Sequence, residues 1–142
     1  MNERQRFTLA YEGRPSIARS LAAELARHSE ITVVVLYGSF LSDKAFRDID
    51  IALVVDEAQL PPERFLGYEL DRLEELSRFS TFPLDIRIVN RAPVLFRYAV
   101  TQGQVLFCRN ESRWNEFRER TWKEYLDFAP VAQRYIEELA HG

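Results

Sequence analysis

Seven consecutive residues, Ile31-Thr32-Val33-Val34-Val35-Leu36-Tyr37, are nearly all β-branched or apolar. A strand of that composition has no polar face to leave in water, so it reads as a central strand covered on both sides. It stops at Gly38-Ser39, and after a short turn or brief helix over residues 40–46 a second strand follows at 48–55. The first half of that strand, Asp48-Ile49-Asp50-Ile51, alternates polar and apolar residues, which gives it one buried and one hydrophilic edge. Two such strands close together call for flanking layers, and the rest of the chain supplies them.

Ile17, Leu21 and Leu25 with Ala18 and Ala22 set helical spacing over residues 15–28, and Pro15 suits a helix start. Residues 61–78 open on Pro61-Pro62-Glu63 and space Leu66, Leu70, Leu73 and Leu76 as the buried stripe of an amphipathic helix. In 82–89, Leu84, Ile86 and Ile88 alternate with Asp85, Arg87 and Val89, which predicts a third strand. A short helix over 92–101, stopped by Gly103, leads to a fourth strand at 104–108. Beyond Arg109 the chain reads as helical, with Trp114, Phe117, Trp122, Tyr125 and Phe128 as an aromatic stripe that mainly packs on the sheet and partly meets a partner. Pro130 predicts a break before a last segment at 131–139. The fold class is therefore α/β (α+β): a mixed sheet of about four strands with flanking helices. One domain over 1–142 is expected, with 111–142 as a helical extension.

Composition narrows the function classes. The 142 residues are 46% hydrophobic and 29% charged, which fits a folded globular chain. The polar start, Met1 to Arg6, does not resemble a signal peptide, and no apolar run is long enough for a bilayer, so the expected location is cytoplasmic with no membrane partner. Nineteen basic residues against 22 acidic ones, dispersed rather than clustered, speak against extensive direct binding of nucleic acid. With one cysteine, Cys108, and two histidines, His28 and His141, neither an internal disulfide nor a thiolate or imidazole zinc cluster can form. Any metal must be held by oxygen.

Side chains two apart on a strand point the same way, so Asp48 and Asp50 present two carboxylates on one face while Ile49 and Ile51 turn to the core. If the strand at 82–89 lies beside this one, Asp85 completes a carboxylate triad of the kind that suits Mg²⁺. Gly38 permits a tight turn after the first strand, so that amides near Ser39 can point at a phosphate. A D-x-D triplet or a Gly-Ser pair alone is commonplace; their order along buried strands is what points to a metal site.

The run Leu36-Tyr37-Gly38-Ser39-Phe40, followed by Arg47-Asp48-Ile49-Asp50-Ile51-Ala52-Leu53, resembles the Gly-Ser and D-x-D motif of the DNA polymerase beta-like nucleotidyltransferase superfamily. Small size and the run Phe117 to Pro130 further resemble the minimal nucleotidyltransferases, the MntA-like antitoxins partnered with HEPN-domain ribonuclease toxins. The resemblance spans about residues 30–130. It implies a nucleotidyltransferase that moves AMP from ATP to a tyrosine of a cognate HEPN toxin, in a hetero-oligomer with that toxin. It assigns Gly38 and Ser39 to the triphosphate, Asp48 and Asp50 to Mg²⁺, and Asp85 to the third ligand and general base, with two ions shared by the site. Lys44 and Arg47 are weaker phosphate contacts. The eight residues between Ser39 and Asp48 make a shorter loop than in many members. Two alternatives stand beside this reading. One is transfer to a small molecule of the antibiotic type, disfavoured because little chain follows residue 110 to build a substrate wall. The other is a toxin-binding antitoxin without catalysis, disfavoured by the presence of all three acids.

Overall fold

The structure, a computed structural model, describes residues 6–141; the polar start at Met1 to Gln5 and the final Gly142 lie outside the described residues. A mixed four-stranded sheet organises the molecule. Its strands are β2 (Ile31–Tyr37), β4 (Ile49–Val55), β5 (Leu84–Ile88) and β6 (Gln104–Cys108), in the order β5-β4-β2-β6. Both neighbours of β2 run antiparallel to it, whereas β4 and β5 are parallel. A small separate pair joins β1 (Phe7–Thr8) to β3 (Ala45–Phe46). The helices are α1 (Arg14–Leu25), α2 (Ser39–Ser42), α3 (Phe65–Ser77), α4 (Val94–Thr101) and α5 (Glu111–His141).

Strand parity divides the core in two. Odd residues of β4 (Ile49, Ile51, Leu53, Val55) join Ala18, Leu21 and Leu25 of α1 and Tyr68 and Leu76 of α3 in one cluster. Even residues (Ala52, Val54) join Val33 and Val35 of β2, Val100 of α4 and Trp114 and Phe117 of α5 in the other. Each strand residue is therefore either packed under a helix layer or, near the strand ends, free to present a polar group. The expected central strand buried on both faces is borne out by β2, whose first six residues are all buried.

Three expectations are corrected. Asp48 is not a strand residue: it lies in a bend, and β4 begins at Ile49. Leu66 and Leu70 do not face the core; they are 69% and 58% exposed. The helix is rotated so that Tyr68 and Leu76 are buried, and a wide apolar arc allows either rotation. Pro130 does not end the last helix, which runs unbroken through it for 31 residues. The ring removes one N–H and crowds one carbonyl, and here it does so on an exposed stretch where water can take the freed carbonyl. The aromatic stripe divides between core and surface: Trp114 and Phe117 are buried, Tyr125 is half-buried and stacks on Tyr98 at 3.8 Å between ring centres, and Trp122 and Phe128 are exposed.

Candidate active site

The acidic cluster stands where β2 ends and β4 and β5 begin. Asp50 faces Asp85 across the parallel β4–β5 pair and Tyr37 across the antiparallel β2–β4 pair. Same-face neighbours on paired strands are held close by backbone hydrogen bonding alone, so two of the three acids meet without any loop having to be placed. Asp48, two residues before Asp50 in the bend, turns to the same side. One carboxylate oxygen from each of Asp48, Asp50 and Asp85 lies within 4.8 Å of the others, and all three are half-buried. Among the described residues this is the group of acids, histidines and cysteines with the spacing of a metal site.

Gly38 is fixed in place by the same geometry. Its φ of 81° lies in the left-handed region that side chains disfavour. A Cβ at this position would stand 2.2 Å from Oδ2 of Asp50, so the site also needs the empty space. The turn throws Ser39 forward into α2, and Ser39 lines a cleft of about 300 Å³ with the three aspartates, Arg47, Arg6 and Asp43. Of the residues singled out from the sequence, Ser39, Arg47, Asp48, Asp50 and Asp85 thus share one cleft, and Gly38 backs Asp50. Lys44 lies in the adjoining loop, exposed, and does not line the cleft.

Several contributors had no clear sequence signal. Arg14 is 4% exposed, and its guanidinium gathers the loop between Ser39 and Asp48. Nη1 donates to the carbonyls of Phe40 (2.8 Å) and Asp43 (2.6 Å), Nη2 to that of Lys44 (2.8 Å), and Nε to that of Leu9 (3.0 Å). The group also lies over the rings of Tyr11, Phe40 and Phe46. Carbonyls that the loop's own turn leaves over are thereby satisfied from one buried cation. Nothing in the Arg14-Pro15 dipeptide foretells this, since the partners lie about thirty residues away.

Arg87 was more legible. It stands two residues from Asp85 on the same strand face, and its Nε donates to Asp85 Oδ1 at 3.0 Å. That contact offsets part of the negative charge of the cluster and orients the carboxylate. The field of the cluster registers on Tyr37, whose phenol is pushed well above its ordinary pKa, first by burial and then by the charges of Asp50 and Asp85. A larger cleft of about 580 Å³ lies at the other end of the strands, by Thr32, Val54, Asp56 and Arg113. It lacks the triad, which makes the smaller cleft the candidate site.

Comparison with known proteins places the chain in a family. Residues 19–112, well over half of the chain and inclusive of the whole cluster, match the family described as polymerase beta, nucleotidyltransferase. No curated protein matches the sequence. Among solved structures, the chain is similar to a MntA–HepT toxin–antitoxin structure at 17% identity and a TM-score of 0.64, covering 88% of this chain and 98% of that one. It is similar to a toxin–antitoxin structure with AMP-PNP at 19% identity and a TM-score of 0.66, covering 86% and 98%. A third similar structure, at 19% identity and a TM-score of 0.64 and covering 89% and 98%, is of a tri-AMPylated Shewanella oneidensis HEPN toxin in complex with an MNT antitoxin. At such identities these likenesses establish a shared fold.

Proposed function

The chain belongs to the polymerase beta nucleotidyltransferase family, and from that premise we propose that it transfers AMP from ATP to a tyrosine of a cognate HEPN-domain ribonuclease toxin and silences it. The observation that carries the reading is the convergence of Asp48, Asp50 and Asp85 beside the Gly38-Ser39 turn. The similar structures support the choice of acceptor, since one of them is described as holding an AMPylated HEPN toxin. The cleft, lined by the three aspartates and by Ser39, Asp43 and Arg47, leaves room for a macromolecular acceptor to dock over it. The protein acts in the cytoplasm as a hetero-oligomer with its toxin; none of its described helices is long and apolar enough to cross a membrane.

The donor set fits Mg²⁺: three carboxylates, no sulfur and no imidazole, close enough to share a small hard cation. Asp48, Asp50 and Asp85 hold the metal on this reading, as two ions. When bound, Mg²⁺ supplies neutralisation of the phosphate charge and of the charge that develops on the reacting oxygens. The amides around Ser39, freed to turn by Gly38, hold the triphosphate, and Arg47 adds a charged contact from the rim, with Lys44 the weaker candidate. Asp85 takes the proton of the tyrosine hydroxyl, with Arg87 fixing the orientation of its carboxylate. The tyrosine oxygen then bonds to the α-phosphorus of ATP as the bond to the bridging oxygen breaks, and pyrophosphate leaves.

A neutralisation assay in cells tests the reading. Wild-type protein should rescue growth against the cognate toxin, and the Asp48→Ala, Asp50→Ala double variant, present at equal level, should not. Rescue by a double variant that transfers no nucleotide would replace this reading with neutralisation by binding alone.

A further inference from the structure

The last half of α5 carries an apolar face with nothing of the chain's own sheet beneath it. Trp114, Phe117 and Thr121, on the first three turns, are buried against the body of the domain. At 3.6 residues per turn, Phe128, Val131, Tyr135 and Leu139 fall on the same side, within an arc of about 100° that also contains those three. Yet these four are 39%, 61%, 62% and 66% exposed. The seam that docks the helix on the sheet therefore continues for about three more turns, from Phe128 to Leu139, without a cover. An apolar strip of this kind on a soluble protein marks a contact surface.

The charges along one flank of the strip identify the occupant. Lys123, Asp127, Arg134 and Glu138 are all exposed and lie together within about 60° of helix circumference. Their signs run plus, minus, plus, minus, and their spacings run four, seven, four. Both series are self-complementary on reversal. When two identical helices pack antiparallel about a two-fold axis, the same flank of each faces the other. An axis midway between Pro130 and Val131 sets Lys123 against Glu138 and Asp127 against Arg134, and symmetry makes each pair twice. Among the described residues no ion pair within the chain engages any of the four. Glu124, which would add a further acid near the strip, is instead bound to the buried Arg97.

We propose that this half of α5 is a homodimer interface, on which a second copy of the chain docks antiparallel, with Phe128, Val131 and Tyr135 as the apolar centre and the four charges fixing direction and register. The interface is independent of the catalytic proposal, since it uses none of the cleft residues.

Sedimentation equilibrium on the full chain without any partner protein tests this. Wild type should be a dimer at micromolar concentration and above. Asp127→Arg alone, or Arg134→Asp alone, converts two attractive contacts into two repulsive ones and should weaken association by about tenfold. The combined exchange restores opposite charges and should recover most of that loss. Since all these positions are exposed, an unchanged circular dichroism spectrum establishes that the helix persists in each variant. A monomeric wild type, single reversals without effect, or failure of the combined exchange to recover the dimer would each overturn the proposal. So would reversals that spare the dimer and abolish binding of a HEPN protein, because the face would then belong to that partner.

Discussion

Gly38 and Arg14 show how much of the site hangs on single residues outside the acidic triad. Replacing Gly38 with alanine forces a side chain into positive φ and drives a methyl group against the Asp50 carboxylate. The conformational part alone costs about 1–2 kcal/mol. We expect Gly38→Ala to lower the urea midpoint modestly while reducing nucleotidyl transfer far more, because Asp50 has to move. Equal loss in both measurements would mean that the glycine serves stability only. Arg14 is the other case: it is buried and satisfies four carbonyls at once. Arg14→Met leaves one buried and three part-buried acceptors without their donor, at a cost of about 2–5 kcal/mol. Arg14→Lys should recover little of it, since one ammonium cannot reproduce a planar fork of five donors. A lysine variant as stable as wild type in urea unfolding would show that the charge, not the fork, matters.

Elements differ in how far the sequence revealed them. Each of the four main strands was visible from alternation or from continuous apolar runs, and the parity that puts Asp50 on the face opposite Ile49 and Ile51 needed only the two-residue repeat. The Asp50–Asp85 contact was conditional on β4 and β5 being neighbours, and strand adjacency is a tertiary fact that no local pattern encodes. Leu66 and Leu70 misled for a related reason: spacing defines a stripe, while the rotation of a helix with apolar residues on several sides is decided by what it packs against. Pro130 misled because a proline penalty is an average, and a long helix already anchored at Trp114 and Phe117 tolerates one lost hydrogen bond in an exposed turn.

The joint between α4 and α5 carries an acid-sensitive contribution. Arg97 is buried, donates to Thr121 Oγ1 at 3.1 Å and to the Ala92 carbonyl at 2.8 Å, and pairs with Glu124. The hydrogen bond from Arg97 holds the Glu124 carboxyl below its ordinary range, and Arg91 does the same for Glu57. A carboxylate with a lowered folded pKa stabilises the fold above the unfolded pKa of roughly 4, and the contribution disappears as pH falls through the folded value. Glu69 acts in the opposite sense, since burial raises its pKa and its contribution fades as pH rises. Chemical unfolding from pH 7 to pH 3 should therefore show stability falling below about pH 4.5, with a shallower fall in Glu124→Gln. The same slope in that variant would place the acid sensitivity elsewhere.

For the molecule as a whole, a single sheet separates the structural and chemical tasks. Its two faces carry two cores, its far end carries a neutral cleft, and the acids stand together at the end where β2 stops and β4 and β5 start. The proposed activity of this end is transfer of AMP to a partner protein. It is tested most directly by incubating the chain with ATP, Mg²⁺ and the cognate HEPN protein, then measuring the intact mass of that protein and mapping the modified residue. A mass gain of one or more AMP units on a tyrosine is expected, absent without Mg²⁺ and absent with the Asp48→Ala, Asp50→Ala variant. A HEPN protein that binds the chain and loses its ribonuclease activity with no gain in mass would contradict it.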